Sequence, residues 1–277
     1  MADSAIKPIR LDVEETVRSK SPKLHRWIPR FLFSWLEKII HQKEMNDFLK
    51  ENSHKRGVDF AEAVMGLFDA KIHPIHEERI PKDDLPYIVV SNHPLGGLDG
   101  IALITLFGRY RKNIKFPVND ILMALKPMED VFVPINKHGA ISGNAQHELE
   151  AAFSESNLLL YFPAGLCSRK NNGIIEDKIW KNTVFKKALR YQRPIIPVYF
   201  DGQNSKRFYN LAKFRARLGL KFNLEMLFLP EEMFRQKGQT FNVVIGAPIN
   251  VETLQKMKNP ASEIRAIVYG LKTDLPH

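Results

Sequence analysis

The chain has 277 residues, of which 44% are hydrophobic and 26% are charged, so it can bury a sizeable core and is not disordered as a whole. Its single cysteine, Cys167, excludes an internal disulfide and a zinc site built on cysteines. No run approaches the roughly 18 apolar residues that a membrane-spanning helix needs. The net charge of +10 favours anionic partners, such as nucleic acid, anionic lipid headgroups or an acidic carrier protein.

The N-terminal part of the chain, residues 1–80, is interpreted as a helical appendage. Within it, the segment from Leu24 to Ile40 places aromatic and aliphatic residues at helical spacing among lysines and arginines. Trp27, Phe31 and Trp35 belong to this amphipathic stripe. A helix of this kind either lies in a membrane interface or packs on the protein core, and both alternatives stay open at this point.

Residues 81–277 are interpreted as one domain in which strand and helix patterns alternate. Strands are predicted at 87–93, 115–120, 131–136, 158–163, 194–200 and 241–249. Helices are predicted at 100–110, 121–128, 142–156 and 259–275, and a further helix at 59–70 belongs to the N-terminal part. This alternation predicts an α/β fold built on a largely parallel sheet.

The segment SNHPLGGLDG falls where a buried strand ends and a helix begins, the place where open α/β sheets bind their ligands. There His93 can take a proton from a nucleophile, and Asp99 can hold the imidazole in the right tautomer. Gly96 and Gly97 let the backbone turn tightly and approach a ligand. The alternative is a plain turn with a capping aspartate, but the strand-end position and the density of glycine favour a catalytic pair.

A second segment, LLLYFPAGLCSR, again carries an apolar strand into a turn. Backbone N–H groups near Gly165 are candidates for binding an anion or a developing oxyanion, and Arg169 adds positive charge. Cys167 is interpreted as a small buried residue rather than a nucleophile. By itself, this segment is weak evidence of function.

Taken together and in this order, the segments resemble those of the glycerolipid and lysophospholipid acyltransferase superfamily, in its bacterial branch of hemolysin-like or ornithine/glycine-lipid acyltransferases. That family pairs a strand-end histidine with an aspartate, then carries a basic motif, an FPEG-type motif and a V/I-P-V strand. The corresponding stretches here are HPLGGLDG, VFVPINKHG, FPAGLCSRK and PIIPVYFDG, with DKIWKNTVFKKA between the last two. The resemblance covers about residues 85–205 and implies a mostly parallel sheet flanked by helices.

The sequence departs from the family pattern at three places. Five residues separate His93 from Asp99 where the common box has four, and the two adjacent glycines are expected to absorb the extra one as a bulge. Ala164 replaces the family's glutamate, and Lys137 replaces the arginine that grips the acceptor's phosphate. These changes imply an acceptor other than glycerol 3-phosphate. The expected substrate-binding residues are Asn92, Gly96, Gly97, Lys137, Phe162, Pro163, Ala164, Gly165, Ser168 and Arg169.

The resemblance implies an enzyme that moves a fatty acyl group from acyl carrier protein or acyl-CoA to the amine or hydroxyl of a polar-lipid precursor. An amino acid or a lysolipid amine fits best as the acceptor. His93 is expected to act as general base and Asp99 as its partner, with no metal and no cofactor besides the thioester. A lipid substrate favours peripheral attachment to an anionic membrane surface, at the cytoplasmic face of the inner membrane.

Other functions remain open at this point. One alternative is a lysophosphatidic acid acyltransferase of phospholipid synthesis, and another is a non-catalytic lipid-binding protein at the membrane surface. Nucleic acid is disfavoured as a partner because no binding motif accompanies the positive charge.

Overall fold

The computed structural model describes residues 10–119, 122–135, 143–220 and 223–276. The strands in these ranges are β1 (Lys71–Ile75), β2 (Ile88–Ser91), β3 (Ile114–Val118), β4 (Phe132–Pro134), β5 (Leu158–Tyr161), β6 (Arg169–Asn171), β7 (Ile174–Glu176), β8 (Ile195–Phe200) and β9 (Thr240–Ile245). Seven of them form one sheet in the order β1-β9-β8-β2-β5-β3-β4, and β6 and β7 form an antiparallel hairpin.

The sheet is mostly parallel, as the sequence predicts. The five strands from β8 through β2, β5 and β3 to β4 all run in one direction. At the other edge β9 is antiparallel to β8, and β1 pairs with β9 in parallel. Every residue of β2 and of β8 is buried, because helices cover both faces of these central strands.

Helices cover both faces of this sheet. Those in the described ranges are α1 (Val13–Lys20), α2 (Pro22–Trp27), α3 (Arg30–Ile39), α4 (Gln42–Glu51), α5 (Gly57–Leu67), α6 (Leu98–Gly108), α7 (Gly143–Ser154), α8 (Thr183–Arg190), α9 (Lys206–Arg217), α10 (Leu229–Arg235), α11 (Val251–Lys256) and α12 (Pro260–Gly270). One core includes Phe60 and Phe107 from α5 and α6, and the other includes Phe185 and Ile264 from α8 and α12. Within these ranges no helix is long and apolar enough to cross a bilayer.

Two predicted helices are interrupted in the structure. The segment from Leu24 to Ile40 is not one helix, because α2 ends at Trp27 and α3 begins at Arg30, with Pro29 in extended conformation between them. A proline disfavours helical conformation in the residue before it, which ends the first helix. The region predicted as a helix at 121–128 contains two 3₁₀ turns, Leu122–Ala124 and Lys126–Met128, the second of which includes Pro127.

The sheet begins earlier in the chain than the predicted boundary at residue 80. Strand β1 lies within residues 1–80, yet it pairs with β9 from Lys71–Thr240 to Ile75–Val244. Helix α5 also packs against α6 in the main core. The helical appendage therefore ends before α5, and α4 also contributes Phe48 and Leu49 to this core.

Candidate active site

Three neighbouring parallel strands, β8, β2 and β5, have their carboxyl ends on the same side of the sheet, and the candidate site lies there. His93 lies two residues beyond the end of β2, and Phe162 directly follows β5. Their rings are stacked, with centroids 4.0 Å apart and an angle of 14° between the planes. This stacking fixes one face of the imidazole, so the position of the ring is set by two strands.

His93 and Asp99 form a hydrogen-bonded pair. The distance from Nδ1 of His93 to Oδ2 of Asp99 is 2.8 Å. The Asp99 side chain is fully buried, whereas that of His93 is 16% exposed. An imidazole whose Nδ1–H donates a hydrogen bond to a carboxylate has Nε2 available to accept a proton. The longer spacing between the two residues thus still brings the side chains together.

The turn between the two residues directs several backbone N–H groups at the Asp99 carboxylate. Leu95 and Gly100 donate to it at 2.9 Å each, and Gly96 at 3.4 Å. Although burial alone would raise the pKa of Asp99, the charge of His93 and these hydrogen bonds outweigh burial and lower it. Asp99 is therefore held as a carboxylate, the form that can accept the Nδ1 proton.

Gly96 makes the tight turn in this loop. Its φ of +83° is in the left-handed region that side chains rarely adopt. A Cβ at this position would also lie 3.0 Å from the side chain of Leu229 and 3.2 Å from that of Cys167. Both the backbone conformation and the available space therefore require glycine here.

A second buried carboxylate, Asp177, holds His93 from the other side. It accepts hydrogen bonds from the backbone N–H of His93 at 3.2 Å, from the Ser168 hydroxyl at 2.6 Å and from the Trp180 indole at 2.9 Å. Burial raises the pKa of Asp177, although the hydrogen bonds from Ser168 and Trp180 and the charge of His93 act in the opposite direction. The Ser168 N–H also donates to the His93 carbonyl at 2.7 Å. The backbone of His93 is thus tied to the segment that follows β5.

Several residues predicted to bind substrate have protein partners in the structure. The side-chain amide of Asn92 is buried and bonds to the N–H and carbonyl of Phe200, which joins β2 to β8. The N–H of Gly165 donates to the Phe162 carbonyl at 3.0 Å, within its own turn. Pro163 and Ala164 are buried beside it. Their predicted contacts with substrate remain predictions, and Lys137 lies outside the described residues.

Arg169 is paired with a buried carboxylate. Its guanidinium donates to Glu225 at 2.8 Å, and Arg215 donates to the other oxygen of the same carboxylate at 3.0 Å. Glu225 therefore already offsets part of the charge that Arg169 was expected to offer to an acceptor anion. Cys167 is 1% exposed, and burial raises the pKa of its thiol, which fits the predicted small buried residue.

Asp177 and Trp180 are the contacts of the site that the sequence did not identify. Both lie in the run DKIWKNTVFKKA, which was recognised only as similar to the family. The spacing of Asp177 and Trp180 does not reveal that the aspartate accepts from a histidine 84 positions earlier as well as from the indole. The resemblance to the family is the signal that pointed towards this region.

Comparison with known proteins identifies the family. Residues 15–275 match a family model described as acyltransferase. The chain is 46% identical to the lyso-glycine lipid O-acyltransferase of Bacteroides thetaiotaomicron over 265 residues, which cover 94% of this chain and 97% of that protein. The chain belongs to this acyltransferase family. The acyltransferase is also 42% identical to the lyso-glycine lipid O-acyltransferase of Phocaeicola vulgatus, with 98% of each chain covered.

The acyltransferase also has the fold of a solved relative. The crystal structure of the 1-acyl-sn-glycerophosphate acyltransferase PlsC from Thermotoga maritima aligns with a TM-score of 0.51 and 14% identity, over 78% of this chain and 77% of that chain. At this identity the likeness shows the fold alone. The predicted PlsC-like fold and the predicted enzyme class, an acyltransferase, are both confirmed, and a non-catalytic protein is set aside.

Proposed function

We propose that the acyltransferase transfers a fatty acyl group from a thioester donor to the hydroxyl of a lyso-glycine lipid. The observation that carries the proposal is the 2.8 Å contact between His93 and Asp99 at the edge of the sheet. The names of the two similar proteins supply the acceptor, a lyso-glycine lipid, and the atom acylated, an oxygen. Between the amine and the hydroxyl expected from the sequence, they favour the hydroxyl.

The mechanism is a direct attack assisted by a general base. Asp99 holds the Nδ1 proton of His93, so Nε2 accepts the proton of the acceptor hydroxyl as its oxygen attacks the thioester carbonyl. The new ester C–O bond forms, the C–S bond breaks, and the imidazolium returns its proton to the departing thiolate. General-base assistance of this kind contributes about 10²–10⁴-fold to the rate. The sequence of steps needs no covalent acyl-enzyme and no cofactor.

The donor is proposed to be the thioester of acyl carrier protein or of coenzyme A, both of which carry phosphate. Support comes from a basic groove of about 1010 Å³ beside the site, between the β6–β7 hairpin, α9 and α12. Its wall includes Asp177, which touches His93, so the groove adjoins the catalytic loop. Lys170, Lys178 and Lys213 line the groove, and none of them forms an ion pair within the described ranges. They offer unneutralised charge to the donor's phosphate.

Attachment to the cytoplasmic face of an anionic membrane is proposed to occur through α2 and α3. The side chains of Trp27, Phe31 and Trp35 are 85%, 69% and 46% exposed. The interpretation in which this stripe packs entirely on the core does not fit such exposure, and only Phe33 and Ile39 of α3 are buried. Large exposed apolar side chains among basic residues are typical of helices that lie in a membrane interface.

The function is tested by supplying purified enzyme with one acyl thioester and a set of acceptors. The set consists of a lyso-glycine lipid, a lysophosphatidic acid and free glycine, and the products are identified by mass spectrometry. We expect an ester on the hydroxyl of the lyso-glycine lipid and little product from the other two acceptors. Preferred acylation of lysophosphatidic acid or of the glycine amine would overturn the proposed acceptor.

A further inference from the structure

Helix α9 presents an apolar stripe to solvent. Phe214 and Leu218 are 59% and 55% exposed. They share one face with Arg207 and Leu211, because residues three, four and seven apart lie on the same side of a helix. The buried residues on the other side of α9 are Phe208, Tyr209 and Ala212. The helix thus has one face in the protein and a second apolar face that the chain leaves uncovered.

This stripe is continuous with the exposed face of α3. The ring of Phe228 meets the ring of Trp35 edge-on, with centroids 6.0 Å apart. The guanidinium of Arg207 lies 4.9 Å from the centre of the same Phe228 ring. Leu227, the neighbour of Phe228, is 40% exposed. Phe228 therefore links α3 to α9, through an aromatic contact with Trp35 and a cation–π contact with Arg207.

Positive charge lies along the same helix. Helix α9 contains five basic residues and no acidic one: Lys206, Arg207, Lys213, Arg215 and Arg217. Arg207 pairs with Glu231 and Arg215 with Glu225, and Lys213 lines the donor groove. Lys206 and Arg217 form no ion pair within the described part of the chain. An apolar stripe bordered by free cations matches the interface of an anionic bilayer, where apolar groups enter the headgroup boundary and cations meet lipid phosphates.

We propose that α9 is a second membrane-binding element, in which Phe214 and Leu218 enter an anionic bilayer beside α3. This inference rests on the proposed peripheral attachment and extends its contact surface. Helix α9 is tied to the catalytic loop, because the Asn204 amide donates to the carbonyls of Pro94 and Leu95 at 3.3 Å each. Contact along α9 therefore brings the loop that holds His93 close to the layer in which a lipid acceptor resides.

The first test places a fluorescent probe on the stripe. Leu218→Cys is labelled with an environment-sensitive fluorophore, since the native Cys167 is 1% exposed and protected from labelling. The matched control is Leu85→Cys, at a position that is 53% exposed in the loop before β2. With vesicles of phosphatidylglycerol and phosphatidylethanolamine, we expect a blue shift of the emission at position 218 and none at position 85.

The second test removes the apolar side chains. Phe214→Ser with Leu218→Ser is expected to lower the partition coefficient onto the same vesicles about tenfold, because two large side chains no longer leave water. The control is Leu85→Ser with Ile267→Ser, which removes two exposed apolar residues elsewhere and is expected to leave partitioning unchanged. Circular dichroism checks that both variants keep the fold. If the double variant does not fold, the labelled Leu218→Cys protein still tests the proposal independently.

The outcomes separate this inference from the proposed function. Flotation of the native protein with vesicles, without a shift at position 218, would overturn the role of α9 and leave attachment by α3 standing. No flotation of the native protein would overturn both attachment and the role of α9. A shift at position 218 with acyl carrier protein, but not with vesicles, would assign the stripe to a protein partner and contradict the proposal.

Discussion

The buried carboxylate of Asp177 accepts a hydrogen bond from the backbone N–H of His93 at 3.2 Å. His93 is thus held twice, by Asp99 through its side chain and by Asp177 through its main chain. The two carboxylates come from different segments, one from the turn after β2 and the other from the stretch after the β6–β7 hairpin. The position of His93 therefore depends on contacts between segments that are far apart in the chain.

We expect Asp177→Asn to lower kcat about tenfold to a hundredfold and to change KM little. An asparagine presents an NH₂ where one carboxylate oxygen accepted, so the side chain can no longer accept from both Ser168 and Trp180. The shared contact with the His93 N–H weakens, and His93 shifts relative to the acceptor. Steady-state kinetics with a fixed donor measure the effect. Ser168→Ala, which keeps the carboxylate, is expected to have a smaller effect. A kcat for Asp177→Asn within twofold of the native value would dismiss Asp177 as a positioning residue.

Asp99→Asn is expected to lower kcat about 10³-fold or more, since an asparagine can present its NH₂ to Nδ1 and leave the proton on Nε2. In that tautomer the imidazole cannot accept the proton of the acceptor hydroxyl. The measurement is kcat together with a thermal unfolding curve, which shows whether the variant is folded. Activity within tenfold of the native enzyme, in a folded variant, would contradict the assigned role of Asp99.

The lowered pKa of Asp99 predicts a loss of stability in acid. A carboxyl whose folded pKa lies below its ordinary value of 3.8 stabilises the protein above that value. This contribution disappears as the pH falls through the folded pKa. The difference in the free energy of unfolding between the native protein and Asp99→Asn should therefore shrink below about pH 4. Urea unfolding at several pH values measures this difference, and a difference that does not change with pH would contradict the lowered pKa of Asp99. The raised pKa of Asp177 affects the stability of both proteins and largely cancels in the comparison.

The basic groove predicts a specific effect on donor binding. Replacing Lys170, Lys178 and Lys213 by glutamine should raise the KM for the thioester donor about tenfold, because three charges that face its phosphate are lost. The KM for the lipid acceptor should stay within twofold. The effect on KM should weaken at high salt, because the Debye screening length falls to about 3 Å at 1 M.

A matched triple variant controls for the change in net charge. It replaces three exposed lysines outside the groove by glutamine: Lys82, Lys237 and Lys272. This variant should keep the native KM for the donor. If both variants raise it equally, the net charge of the surface steers the donor and the groove does not. If the groove variant raises the KM of the acceptor instead, the groove binds the acceptor.

The features predicted correctly from the sequence are those that local patterns determine. Apolar runs such as LLLYF and IIPVYF identified buried strands, and the segment SNHPLGGLDG led to the expected contact between His93 and Asp99. The contact with Asp99 lies within one turn of six residues, so the spacing constrained it. The break before Pro29 was not predicted, although its cause is also local: the restriction that proline places on the preceding residue.

The features that were missed depend on partners that are distant in sequence. Arg193 is fully buried, has no carboxylate partner among the described residues, and donates to the carbonyls of five residues. No local pattern reveals these contacts. Burial lowers its pKa to about 10. Arg169 was predicted to bind an anion, but its guanidinium donates to Glu225, which is 56 residues further along the chain. Strand β1 looked like part of a helical region because its partner, β9, is 169 residues further along the chain.

The central claim is that His93 is the general base, and His93→Ala tests it most directly. Transfer of an acyl group to a lyso-glycine lipid is measured for the native enzyme, for His93→Ala and for His147→Ala, which changes an exposed histidine on α7. We predict that His93→Ala lowers kcat by about 10²–10⁴-fold while His147→Ala keeps native activity. A folded His93→Ala protein that acylates the lipid within threefold of the native rate would contradict the mechanism.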